Sequence, residues 1–106
     1  MQGYLLTFYT LLDDRHRHKP LHEWLASTAL ELGIRGGTSV AAMEGHDRKG
    51  RFHSAHFFEL ADQPIEVQFA AKEDQCTALF ERIRAEGLDI FYAKCPVEFG
   101  SIGSGA

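Results

Sequence analysis

Apolar and polar positions along the chain follow two rhythms, and each rhythm predicts a different element. From Tyr4 to Leu12 nearly every side chain is aromatic or large and aliphatic, with only Thr7 and Thr10 polar; such a run predicts a strand buried on both faces. In "PLHEWLASTALEL" the residues Leu21, Trp24, Leu25, Thr28, Ala29 and Leu32 recur at helical spacing, so 20–32 should be a helix, with Pro20 suited to its first turn and Gly33 to its C-terminal cap. A strand is expected over Thr38 to Met43. The polar, glycine-containing "EGHDRKGRFHS" after it cannot bury itself and is expected to be a loop.

The second half repeats the order. Ile65, Val67, Phe69 and Ala71 alternate with Glu66 and Gln68, the period of a strand with one wet face. Cys76, Leu79, Phe80 and Ile83 share one face of a helix expected over 73–86 and stopped by Gly87. Over 89–99 the odd positions Phe91, Ala93, Cys95, Val97 and Phe99 form an apolar face, and Pro96 points to an edge strand or a bulge.

Strand, helix, strand, strand, helix, strand is the order of the α+β, ferredoxin-like βαββαβ fold: a four-stranded antiparallel sheet with two helices on one face. One domain over residues 1–99 and a disordered tail over 100–106 are expected. The first strand supplies apolar residues to both faces, Leu5 and Leu11 on one parity and Leu6, Phe8 and Leu12 on the other. The face left bare by the helices should therefore self-associate. In this topology the segments "DDRHRHK", "EGHDRKGRFH" and "AEGLD" meet at one rim of the sheet.

Composition narrows the function. At 106 residues and 44% hydrophobic the chain has enough apolar material for one core, and its net charge of −4 argues against general nucleic-acid binding, which needs many cations to displace counterions. The apolar run at the N-terminus stops at Asp13, too short to span a membrane and unlike a cleaved signal, so a cytoplasmic protein that is not membrane-inserted is expected. Cys76 and Cys95 lack paired spacing and read as reduced thiols in or near the core.

Two kinds of local chemistry stand out. Arg48, Lys49 and Arg51, with Gly45 and Gly50 letting backbone N–H groups approach, could hold a phosphate; arginine grips its oxygens bidentately and lysine acts as a point charge. The same spacing also suits a solvated loop. Arg15, Arg17 and Lys19 could add charge from the same rim, partly offset by Asp13 and Asp14. The alternative is a divalent metal at His16 and His18, two apart in a run that also approaches His22; His46, His53 and His56 follow the second strand, yet no recognisable ligand quartet emerges. His22 reads as a helix-start histidine beside Glu23, and Trp24 as core or subunit contact. Enzyme activity is not expected: Cys76 lies on an apolar face that disfavours a thiolate, and Glu44 beside His46 is a pairing common in surface loops.

The stretch "KPLHEWLASTALELGIRGGTSVAAMEGHDRKGRFHSAHFFEL" resembles the PII-like superfamily, and most closely the uncharacterised family named domain of unknown function 190. The likeness runs from Leu5 to about Val97 and includes a Gly-Ile-x-Gly-x-Thr entry into the second strand. It implies a homotrimer that covers the bare sheet face, an adenine nucleotide or other small anionic effector in the cleft between subunits, and signalling to a protein target through a T-loop-like segment from Gly45 to His53. By the same resemblance the ligand-binding residues are Gly45, Arg48, Lys49, Gly50, Arg51 and Gly87. After the second helix this chain carries "AEGLD", with one glycine and no lysine, where PII proteins have a glycine-rich, lysine-bearing phosphate loop. Its loop is also shorter and without tyrosine. A histidine-rich metal-binding trimer of the CutA type and a ligand-free module that contacts a transporter or enzyme are the competing readings.

Overall fold

A computed structural model describes residues 1–46, 52–54 and 63–103. Four strands, β1 (Gln2–Leu11), β4 (Gly36–Ala41), β7 (Pro64–Ala71) and β8 (Phe91–Glu98), form one sheet in the order β4-β7-β1-β8, and every adjacent pair is antiparallel. With helices α1 (Leu21–Glu31) and α2 (Glu73–Ala85) this is the ferredoxin-like arrangement read from the sequence. Two short ribbons complete the described residues. One pairs β2 (Arg15–His16) with β3 (Lys19–Pro20), and the other pairs β5 (Glu44–His46) with β6 (Phe52–Ser54).

The second ribbon corrects the expected loop over 44–54. Its ends pair Glu44 with Ser54, Gly45 with His53 and His46 with Phe52, so the polar segment is based on a β-ladder. Its pairing is made by backbone groups, which apolar periodicity cannot reveal. The second strand also begins two residues earlier than expected, at Gly36. Gly37 has a steric reason to be there: a Cβ would sit 2.9 Å from the ring of Phe69 on the neighbouring strand.

Both helices lie on the face that carries Leu6 and Phe8 from β1 and Ile65, Val67 and Phe69 from β7. These join Leu21, Trp24, Leu25 and Ala29 of α1 and Cys76, Leu79 and Ile83 of α2 in one buried cluster. Phe8 meets Phe69 and Phe80 edge to face, each with centroids 6.1 Å apart. Each helix ends the same way. Gly33 and Gly87 adopt φ of +82° and +70°, and the residue after each, Ile34 or Leu88, donates its N–H back to Ala29 or Ile83. This double reversal satisfies carbonyls that a helix end leaves unpaired, and it needs the left-handed conformation that glycine adopts without a steric penalty.

The opposite face carries no helix. The apolar parity of β8 lies here: Phe91 pairs with Tyr9, Ala93 with Thr7, Cys95 with Leu5 and Val97 with Gly3. Tyr9 and Phe91 touch at 5.5 Å and remain 42% and 52% exposed. Toward the helices β8 presents Tyr92, Lys94 and Pro96 instead, with the Lys94 ammonium 4.1 Å above the ring of Tyr4. Cys95, expected in or near the core, is exposed on the open face, while Cys76 is fully buried. β8 is an edge strand, as Pro96 suggested.

Candidate functional site at the hairpin rim

β1 and β4 both run antiparallel to β7 and so point the same way, which brings the segments that follow them to one end of the sheet. Asp14 organises the first. Its carboxylate accepts the Leu11 N–H at 2.7 Å and its carbonyl accepts the Leu21 N–H, also at 2.7 Å, so one residue ties the end of β1 to the first residue of α1. Between these anchors the chain makes a two-residue hairpin. Its central residues, Arg17 and His18, have φ of +52° and +67°, the pattern of a type I′ turn. Left-handed backbone costs a non-glycine residue about 1–2 kcal/mol, so the turn must be held from outside.

The holding contact comes from the end of α2. Glu86 is its C-cap residue, and the Gly87 turn directly behind it fixes where its carboxylate sits. One oxygen meets His16 Nε2 at 2.8 Å and the Nε of Arg17; the other accepts an Arg17 Nη hydrogen at 3.0 Å. The Glu86 side chain is only 19% exposed. The Arg17 hydrogen bond, and after it that of His16, holds this carboxyl below the usual range, while Glu86 raises the Arg17 guanidinium further. Arg15 braces the turn by donating to the His18 carbonyl at 2.9 Å. His16 also stands edge-on to the Trp24 ring, centroids 5.0 Å apart, which fixes Trp24 as a core residue beneath the rim.

The sequence-predicted residues divide accordingly. Gly45 lies in the β5–β6 ribbon opposite His53, and Gly87 is the stop of α2, where its positive φ is a structural requirement. Arg48, Lys49, Gly50 and Arg51 lie outside the described residues. His16 faces Glu86, whereas His18 occupies the exposed turn. No group of three or more histidine, cysteine, aspartate or glutamate side chains is gathered among the described residues. His22 opens α1 with a buried Nδ1 that has no hydrogen-bond partner among the described residues. Burial pushes the Cys76 thiol up, so it is a poor nucleophile. Sequence reasoning missed Glu86 and the Arg17–His18 turn. The only available signal was the closeness of "RHRH" and "AEGLD" in the inferred topology.

The sheet order and the two helices on one face define a ferredoxin-like α+β fold. Residues 3–89 match the family DUF190, described as "Uncharacterized ACR", and the chain belongs to that family. A crystal structure described as that of a PII-like signalling protein from Thermus thermophilus superposes with a TM-score of 0.66 at 16% identity, covering 91% of this chain and 87% of that one. CPII, a nitrogen regulatory PII-like protein from Thiomonas intermedia whose structure contains ADP, AMP and bicarbonate, gives 0.62 at 17% identity, covering 94% and 97%. CutA1 from Oryza sativa gives 0.57 at 14%, covering 94% and 85%. These likenesses show the fold. No curated protein matches the sequence. Among the described residues no helix is long and apolar enough to cross a membrane.

Proposed function

We propose that this chain is a PII-like regulatory protein rather than an enzyme. It assembles as a homotrimer through its open sheet face, binds a small anionic effector between subunits, and presents the effector state to a protein target through the loop over 45–53. An adenine nucleotide is the leading effector, held by Arg48, Lys49 and Arg51 with Gly45, Gly50 and Gly87. The observation that carries the reading is the contact between the hairpin over 15–20 and the end of α2, at the end of the sheet from which the chain also leaves β4 toward the β5–β6 ribbon. A fold-level relative with ADP and AMP in its structure supports the choice of effector. A ligand that orders the loop must prefer the ordered state, and each tenfold preference shifts the equilibrium by about 1.4 kcal/mol.

The test is a thermal-shift panel on chelator-treated protein, with adenine nucleotides, zinc, copper and nickel. A ligand at a hundred times its Kd stabilises the folded state by about 2.7 kcal/mol. A rise with a nucleotide that disappears when Arg48, Lys49 and Arg51 become Ala supports the sensor. The reading fails if no nucleotide binds saturably. A rise with metal alone, lost on His16→Ala with His18→Ala, selects the metal-binding trimer. A partner pull-down indifferent to nucleotides and chelators selects the ligand-free module.

A further inference from the structure

Among the described residues, backbone of positive φ is held by glycine at Gly33, Gly87 and Gly103, and by other residues only at Arg17 and His18. Asn-Gly at the tip would let the hairpin over 15–20 close unaided, because left-handed backbone costs those residues little. With Arg17 and His18 there, closure depends on what holds the turn from outside. The side-chain hydrogen bonds that do so end on one carboxylate: His16 and Arg17 both reach Glu86, 70 and 69 residues further along the chain. The Arg15 bond to the His18 carbonyl lies within the hairpin, and Asp14 ties down only its base, through Leu11 and Leu21.

We propose that the hairpin is a conditional strap, closed while the turn behind α2 presents Glu86 and open when that carboxylate is drawn away. Backbone strain opposes closure and charge-assisted hydrogen bonds favour it, so two arrangements compete where a glycine turn would allow one. The carboxylate moves with its own turn. Glu86, Gly87 and Leu88 donate their N–H groups to the carbonyls of Arg82, Arg84 and Ile83 at 3.1, 3.0 and 3.2 Å. A contact that shifts 86–88 therefore opens the strap, and by reciprocity a closed strap steadies 86–88. Opening has a surface consequence as well. Trp24 is 8% exposed and lies beneath His16, ring centroids 5.0 Å apart, so release of the hairpin uncovers an indole at the rim. The strap uses neither the effector nor the loop over 45–53, and it stands apart from the function proposed above.

Trp24 is the only tryptophan in the chain, so acrylamide quenching of its fluorescence reads the strap directly. Amide exchange at His16 and Lys19, the pair that closes the turn, gives a second readout. In the full chain, Glu86→Gln should raise the quenching and speed exchange at both amides at least tenfold. Adding Glu86→Gln to the Arg17→Asn, His18→Gly variant, whose turn closes by itself, should change neither. A generally loosened fold would not be rescued by two substitutions at the hairpin tip. Gly87→Ala leaves the carboxylate in place but strains its turn at φ +70°, and should open the strap as Glu86→Gln does. The proposal is overturned if Glu86→Gln leaves quenching and exchange unchanged, or if it alters them equally with and without the Arg17→Asn, His18→Gly tip. An unaltered strap in Gly87→Ala would overturn the coupling to α2.

Discussion

The two faces of the sheet are built from the same strands but reach different degrees of completion. On the helix side, Leu6, Phe8, Val67 and Phe69 are at most 2% exposed, and their environment is supplied by the same chain. On the other side Tyr9, Val40 and Phe91 are between 42% and 52% exposed, although they occupy the same strands or their immediate neighbours. The first face is a core. The second mixes apolar Leu5, Tyr9, Val40 and Phe91 with polar Gln68, Glu66 and Thr38, and burial of each large apolar side chain there would be worth about 1.5–3 kcal/mol.

The comparison is broken most forcefully from the core side. Phe8→Ala removes a ring that touches Phe69, Phe80 and Tyr92, and should cost about 3–5 kcal/mol in urea unfolding monitored by circular dichroism. Tyr9→Ser with Phe91→Ser removes rings of similar size from the open face. That double variant should leave the single-chain fold intact while shifting sedimentation toward the monomer. If it unfolds the chain as Phe8→Ala does, the two faces are not different in kind.

The cysteines sharpen the same contrast by a chemical route. Cys95 lies on the open face and Cys76 under α2, where burial keeps the thiol protonated. A maleimide should label Cys95 quickly in the Tyr9→Ser, Phe91→Ser variant and slowly in the parent protein, with Cys76 inert in both. Equal Cys95 labelling in the two would show the open face to be bare in the parent.

How much of this was legible in the sequence follows from what each part is made of. The core faces of β7, α1 and α2 were readable because burial imposes a period: 2 for Ile65 to Ala71, and 3.6 for Leu21 to Ala29 and for Cys76 to Ile83. Gly33 and Gly87 marked helix ends because the left-handed turn is local. The hairpin was not readable, since type I′ turns are signalled by Asn-Gly or similar pairs, and here the positions hold Arg17 and His18. Their conformation is held by Glu86, 69 residues from Arg17, so the cause lies in tertiary structure. The β5–β6 ribbon escaped for a related reason, its ladder being made by backbone groups that any sequence carries.

Smaller effects test the local stops and the rim against each other. Gly33→Ala places a Cβ at φ +82° and should destabilise the chain by about 1–2 kcal/mol; an unchanged melting temperature would mean that the end of α1 relaxes without cost.

Glu86 gives the smallest effect and the most specific one, because its sign with pH is fixed. Its carboxyl has an ordinary value of 4.5 and is depressed in the folded chain, chiefly by the Arg17 hydrogen bond and then by that of His16. A depressed carboxyl binds its proton less readily folded than unfolded. Its stabilisation is therefore fully present above about pH 4.5 and fades as the pH falls through the lower, folded value. Glu86→Gln removes that titration. The melting temperatures of parent and variant should thus differ at pH 6 and converge as the pH drops below 4.5, with the amides of the hairpin over 15–20 exchanging faster in the variant at the higher pH. A gap that widens toward acid would mean that Glu86 binds its proton more readily in the folded chain, and the Arg17–His18 turn would then need another support.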